Sequence, residues 1–288
     1  MKIACIGEIL WDVFPDQERL GGAPFNFAYH AARLGHEVEF ISAVGQDDRG
    51  VRARAGAVES GVSTRNLQTT DEAPTGTVTV KLDASGEPDY EIHRPAAADF
   101  VDCERVTGLA GSEWLYYGTL HQMALGARGA TSKIAKAIPN AQRFYDVNLR
   151  KDSYTPELIR SLAESADLVK LNEHEAKELG SFFDLPVSVE AFCHAVVERF
   201  ELRGVCVTRG PDGSALLLDG TFGEAPGFKI ECRDAVGAGD AFSAALLDAI
   251  SRDVGVAEAA EFANRVGALV ASLAGGTPDW RLEDAAGL

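Results

Sequence analysis

An α/β fold with a mainly parallel central sheet, helices on its faces and a small projecting β-sheet is what this sequence predicts. Three observations lead there. From residue 112 onward short apolar runs alternate with helical patterns, the rhythm of βαβ units around a parallel sheet. Between residues 75 and 95 the texture changes to strict apolar–polar alternation about a turn, the mark of a half-covered hairpin. Paired glycines also stand at two places where helical spacing begins, Gly21-Gly22 and Gly237-x-Gly239.

Taken in order, residues 3–10 read as one buried strand running into Glu8 and Asp12. Ligands gather beyond the carboxyl ends of strands in open α/β sheets, so Asp12 is a candidate for gripping substrate hydroxyls, with a plain turn aspartate as the alternative. Gly21-Gly22-Ala23-Pro24-Phe25-Asn26-Phe27-Ala28 leads into a helix that stops near Leu34-Gly35, with Pro24 suited to a first turn. The glycines let backbone approach a neighbour closely, and Asn26 offers both a donor and an acceptor; a purely structural double-glycine turn fits as well. A strand over 37–44, the turn Gly45-Gln46-Asp47-Asp48 and a helix to about Ser60 follow.

The alternating stretches 77–82 and 90–93, joined by the turn Ala84-Ser85-Gly86-Glu87, predict a small projecting sheet that serves as a lid, an edge or a dimer contact. Next come short buried strands at 114–118, 144–148, 168–171 and 205–208. Each ends in small or polar residues: Gly118-Thr119, then Asp146, Asn148 and Arg150, then Asn172 and Glu175, then Thr208-Arg209-Gly210. Four such ends on one sheet edge predict a site there. Runs at 215–218 and 222–224 read as antiparallel strands finishing the sheet, and a helix over 256–273 is stopped by Gly275-Gly276-Thr277-Pro278.

Bulk composition narrows the class. With 46% hydrophobic and 25% charged residues the chain reads as a soluble globular protein with a sizeable core. A formal net charge of -17, without a cluster of Lys and Arg, argues against nucleic acid as a partner. No apolar run reaches membrane-spanning length, so no membrane association is expected. Cys5, Cys103, Cys193, Cys206 and Cys232 are scattered and include no Cys-x-x-Cys pair, and the start carries no basic and apolar leader, so a reduced, cytoplasmic chain is expected. The six histidines show no metal-ligand spacing.

The stretch Asp234-Ala235-Val236-Gly237-Ala238-Gly239-Asp240-Ala241-Phe242 carries the chemistry. A glycine-rich turn opening a helix presents free N–H groups and the positive end of the helix dipole, a natural seat for a phosphate. A carboxylate beside a bound anion repels it unless the acid has its own task. For Asp240 that task is general base, accepting the proton of a hydroxyl that attacks phosphorus, with the helix terminus favouring its ionised form. A glycine turn capped by an aspartate, with no ligand, fits the same residues.

With both glycine signatures in view, the chain resembles the ribokinase-like (PfkB) carbohydrate kinases over nearly its whole length. Gly21-Gly22-Ala23-Pro24-x-Asn26-x-Ala28, with Gly35 and Gly45 beyond it, matches the family's N-terminal signature, and the stretch from Asp234 to Phe242 its C-terminal one. The resemblance implies a ribokinase-like three-layer fold in one domain over 1–288, with lid strands from about 12–20 and 74–98, and an ATP-dependent sugar kinase. It implies Asp240 as base, the amides of Gly237, Ala238 and Gly239 as the anion hole, and Asp12, Gly22 and Asn26 as sugar ligands.

Asn172 and Glu175 resemble the family's Asn-x-x-Glu element, which arranges Mg²⁺ through water. Thr208, Gly210, Gly213 and Asn264, with Asn172, would line the nucleotide pocket. Asp234 and the Val236 carbonyl resemble a monovalent-cation (K⁺) site, but Ala235 stands where the family usually has Thr or Ser, which puts potassium dependence in question. The wording around Glu8, Asp12, Asn26, Arg94 and Arg150 is most similar to bacterial fructokinases, which implies a substrate site that includes Arg94 and Arg150. Arg94 could instead serve the carboxylate of 2-keto-3-deoxygluconate or be a solvated strand-end charge. Another sugar or nucleoside kinase of the family, or a sensor that kept the fold without the chemistry, are the further alternatives. A homodimer through the lid strands is the family's expectation.

Overall fold

The computed structural model describes residues 1–82 and 88–288, so the expected turn at Ala84-Ser85-Gly86-Glu87 lies outside the described residues. The first half runs β1 (Lys2–Ile6), β2 (Leu10–Val13), β3 (Glu18–Gly21), α1 (Ala23–Arg33), β4 (Glu37–Gly45), α2 (Asp48–Glu59), β5 (Asn66–Thr70), β6 (Gly76–Leu82) and β7 (Pro88–His93). The second half continues β8 (Trp114–Gly118), α3 (Thr119–Gln122), α4 (Leu125–Ala137), β9 (Gln142–Asp146), α5 (Pro156–Ala163), β10 (Leu168–Asn172), α6 (Glu173–Phe183) and α7 (Val189–Phe200). It closes with β11 (Gly204–Thr208), β12 (Ser214–Leu218), β13 (Thr221–Ala225), α8 (Ala238–Ser251), α9 (Val256–Ala271) and α10 (Leu282–Ala285).

The larger sheet has the order β13-β12-β11-β10-β9-β8-β1-β4-β5. Pairing is parallel from β11 through to β5, while β12 and β13 add on antiparallel. Because successive side chains of a strand face opposite ways, β1 feeds two cores at once. Ile3 and Cys5 join the apolar cluster under α1, α8 and α9, whereas Ala4 and Ile6 join the one under α4, α5, α6 and α7. Helices on both faces make this the mainly parallel, three-layer architecture that the sequence predicts. Stacking of Phe27 on Tyr116, ring centres 3.7 Å apart, fixes α1 against β8.

A second, four-stranded sheet has the order β3-β2-β6-β7, with β2 and β6 parallel and the outer pairs antiparallel. Here the single strand expected over 3–10 is corrected: β1 ends at Ile6, and Leu10 to Val13 belong to the second sheet. Apolar residues continue through both strands, so hydrophobicity alone gives no break. Trp11 decides the second direction, donating its indole N–H to the Arg49 carbonyl at 3.1 Å and lying under the Arg52 guanidinium at 4.5 Å. Asp12 therefore stands on the second sheet and not on the edge of the first. Among the described residues no helix is long and apolar enough to cross a membrane.

Candidate active site

The glycine turn is built as its sequence requires. Gly237 is the N-cap of α8 with φ +78°, and a Cβ there would lie 2.3 Å from the Gly276 carbonyl oxygen, so both its conformation and its packing demand glycine. His30 holds that neighbouring loop. Its Nδ1 accepts the Trp280 indole N–H at 3.0 Å, which leaves Nε2 to donate to the Gly276 carbonyl at 3.0 Å. Burial pushes the His30 imidazole down to about 3, so it stays neutral. The amides of Gly237 and Gly239 have no acceptor among the described residues, while the Ala238 N–H donates to the Ala235 carbonyl over a long 3.3 Å. A bound anion would compete for that third amide.

Asp240 occupies the first turn of α8 at 8% exposure and receives the Asn26 Nδ2–H at 2.8 Å. The single side-chain oxygen of Asn26, Oδ1, is buried without a partner. Gly22 caps α1 at φ +109°, where a Cβ would meet the Glu8 carbonyl oxygen at 2.6 Å, and this close approach sets the start of α1 against the backbone of Glu8. The helix terminus is expected to favour the ionised form of Asp240, but burial, then the charge of Asp146, raises its carboxyl to about 6 against the opposing Asn26 hydrogen bond, Lys170 and Arg150. Asp12 is likewise raised to about 6, by burial first, with Arg150 and Arg19 opposing and Asp234 adding to the rise.

Glu8 was passed over as a site residue by sequence reasoning. Burial takes its carboxyl to about 7, with its own backbone N–H, Arg150 and Arg94 opposing, and its Oε2 is buried without a partner. Arg150 is exposed and its charge reaches Glu8, Asp12 and Asp240 alike. Arg94, though exposed, pairs with Asp99 and donates to the Leu120 carbonyl at 2.6 Å.

Behind Asp240 lies a buried polar cluster. Lys170, in the register opposite Asp146 across β10 and β9, places its Nζ 3.1 Å from Asp146 Oδ1. Ser243 Oγ and Tyr116 Oη donate to Asp146 Oδ2 at 2.8 and 3.1 Å. Burial opposes the Lys170 charge, but Asp146, Glu175 and Asp240 outweigh it and raise its pKa. A lone lysine inside the apolar run Leu168-Val169-Lys170-Leu171 was the signal available in the sequence.

Asn172 and Glu175 form a reciprocal cap at the start of α6. The Glu175 N–H donates to Asn172 Oδ1 at 2.9 Å, and the Asn172 N–H donates to Glu175 Oε2 at 2.8 Å. Glu175, 3% exposed, also accepts the Leu149 N–H at 2.8 Å through Oε1. Both oxygens are thus engaged by backbone, and burial first raises the carboxyl while Lys170 and the amides oppose. Such a carboxylate suits a Mg²⁺ held mainly by phosphates and water, and no group of three or more metal-ligating side chains occurs among the described residues. Asp234 is occupied differently. Its Oδ2 accepts Arg19 Nη1 and the Gly275 N–H, both at 3.0 Å, and its Oδ1 accepts the N–H of Val236 at 3.1 Å. The Arg19 guanidinium therefore already compensates the negative charge that Asp234 would offer a monovalent ion.

The remaining residues gather at the β11–β13 end of the sheet. Thr208 ends β11, Gly210 and Gly213 flank the following turn, and Asn264 on α9 donates to the carbonyls of Ala225 and Pro226 at 3.2 and 3.1 Å. Gly267, also on α9, lies against the Ala238 carbonyl, so this group adjoins the glycine turn.

The family description "pfkB family carbohydrate kinase" matches residues 2–281. A fructokinase of Klebsiella pneumoniae is 33% identical, the match covering 85% of this chain and 83% of that protein. An aminoimidazole riboside kinase of Salmonella typhimurium is 29% identical over 95% of this chain and 90% of its own length. In fold, the ATP-bound fructokinase of Xylella fastidiosa superposes with a TM-score of 0.88 at 23% identity, covering 99% of this chain and 97% of that one. The chain belongs to the pfkB family of carbohydrate kinases, phosphotransferases whose acceptor is an alcohol group.

Proposed function

We propose that this kinase transfers the γ-phosphoryl group of ATP to a hydroxyl of fructose, giving fructose 6-phosphate and ADP. The observation that carries the reading is the 2.8 Å bond from Asn26 to Asp240, with Asn26 Oδ1 buried and unpartnered beside it. A sugar hydroxyl would satisfy Asn26 Oδ1 while a second hydroxyl faces the Asp240 carboxylate. Asp240 takes the proton as the sugar oxygen attacks phosphorus and the bridging oxygen leaves with ADP. The amides of Gly237, Ala238 and Gly239 receive the equatorial phosphoryl oxygens.

Asp12, Gly22 and Glu8 line the sugar side, and Arg94 and Arg150 supply positive charge around it. Thr208, Gly210, Gly213 and Asn264 border the nucleotide, with Asn172 toward its phosphates. Mg²⁺, arranged through water by Glu175 and Asn172, would neutralise charge on the β- and γ-phosphates when bound. The second sheet acts as the lid that excludes water, and its strands pair two copies of this cytoplasmic chain into a dimer.

A neutral sugar is favoured over 2-keto-3-deoxygluconate because Arg94 already spends its guanidinium on Asp99 and the Leu120 carbonyl. Aminoimidazole riboside remains the second reading, supported by the relative at 29% identity. A coupled ADP-release assay over fructose, 2-keto-3-deoxygluconate and aminoimidazole riboside tests the choice. Highest kcat/KM on anything but fructose ends the fructose reading.

A further inference from the structure

Arg19, on β3, is the ionic link between the second sheet and the glycine turn. Its guanidinium lies over the Phe14 ring at 5.0 Å, its Nε donates to Gln17 Oε1 at 3.2 Å, and its Nη1 reaches Asp234 at 3.0 Å. Asp234 in turn gathers the N–H groups of Val236 and Gly275, on the two loops whose contact at Gly237 and Gly276 shapes the anion hole. On the same sheet, Glu18 pairs instead with Arg49 and Arg52 on α2, and Lys81 with Glu91 on the neighbouring strand.

Charge gives the link its purpose. A phosphoryl anion must settle on a turn flanked by Asp234 and Asp240 in a chain of net charge -17. We propose that Arg19 is a positioning residue for phosphoryl transfer: its guanidinium neutralises Asp234 and ties the strand beside the sugar to the turn that receives the phosphoryl group. No free monovalent cation is then required at Asp234. The proposal rests on the kinase reading above, with Asp240 as base.

Loss of the guanidinium would leave the Asp234 carboxylate, 16% exposed, uncompensated beside the anion hole. An open cleft of about 910 Å³ is bordered by Arg19 and Gly275, the two partners of Asp234 Oδ2, and gives a small cation an approach to those partners. Arg19 is itself 41% exposed, so its replacement removes little packing.

The test is steady-state kinetics of wild type, Arg19→Met, Arg19→Lys and Asp240→Asn, each with KCl or with choline chloride at equal ionic strength, alongside thermal melting. Arg19→Met is expected to keep its melting temperature, to lose kcat by about tenfold, and to recover most of it with K⁺. Arg19→Lys should stay close to wild type, and wild type should ignore the choice of cation. Arg19→Met within twofold of wild type in kcat and KM overturns the proposal; so does a loss that Arg19→Lys shares and K⁺ leaves unrepaired. Failure of the kinase reading is separate, because wild type would then phosphorylate no sugar, or Asp240→Asn would remain active.

Discussion

Asn26 and Asp240 meet side chain to side chain at 2.8 Å although 214 residues separate them. One stands four residues past the glycine that caps α1, the other three past the glycine that caps α8. Their contact joins the start of α1 to the start of α8, and it orients the carboxylate without neutralising it.

Asp240→Asn keeps the shape of that contact and removes the base. Turnover should fall by about 10²–10⁴-fold, while calorimetric ATP affinity stays within a few-fold of wild type. Near-normal turnover would remove Asp240 from the mechanism.

The pH profile follows from the same carboxyl. Asp240 must be ionised to accept a proton, and its folded value is about 6, so kcat/KM should fall as pH drops through about 6, with Asp12 titrating in the same range. Asn26→Ala removes a hydrogen bond that favours the ionised form, leaving burial, Asp146, Lys170 and Arg150 to set the balance. Its acid limb should move to higher pH; an unmoved limb would mean that another group controls it.

Stability has the opposite dependence. A carboxyl raised from its usual 3.8 to about 6 by folding favours the protonated form, so its contribution is fully present below the unfolded value and is lost as pH rises through the folded one. At pH 7.5 Asp240→Asn escapes that loss and should be more stable by roughly 2–3 kcal/mol, an advantage that vanishes at pH 3.8 or lower. Urea unfolding at the two pH values measures it.

Lys170→Met strands the charge of Asp146 in the core with only Ser243 and Tyr116 as donors. The expected cost is about 3–5 kcal/mol, and Lys170→Met combined with Asp146→Leu should recover part of it. Equal stability of the single variant and wild type would show that the ammonium is dispensable.

Glu175→Gln keeps the size of the side chain but can accept only one of the two N–H groups, from Leu149 and Asn172, that the carboxylate now holds. A loss of about 1–2 kcal/mol in stability is expected, together with a higher Mg²⁺ concentration for half-maximal rate. An unchanged Mg²⁺ titration would detach Glu175 from the metal.

Much of this was legible in the chain. The buried strands 114–118 and 168–171 announce themselves because apolar runs of that length, bounded by glycine and polar residues, have few other uses. The glycine turns were legible because a left-handed φ and a close backbone approach admit almost nothing else, as Gly22 and Gly237 illustrate. β5 was not legible. Its sequence Asn66-Leu67-Gln68-Thr69-Thr70 is mostly polar, and it is buried only because Asn66 bonds the backbone of Thr107, and Gln68 that of Asp102. Those partners lie far along the chain, where hydrophobic periodicity has no view of them.

By itself the sequence determined the alternation of strands and helices and the two glycine-opened helices, because each depends on local periodicity or backbone sterics. Only the tertiary structure decided that Leu10 to Val13 leave the main sheet, that Lys170 pairs with Asp146, that Arg19 reaches Asp234, and that burial raises Asp240. Those are relations across long loops and into a low-dielectric interior, and charge, distance and solvent exclusion acquire values only once the chain has closed on itself.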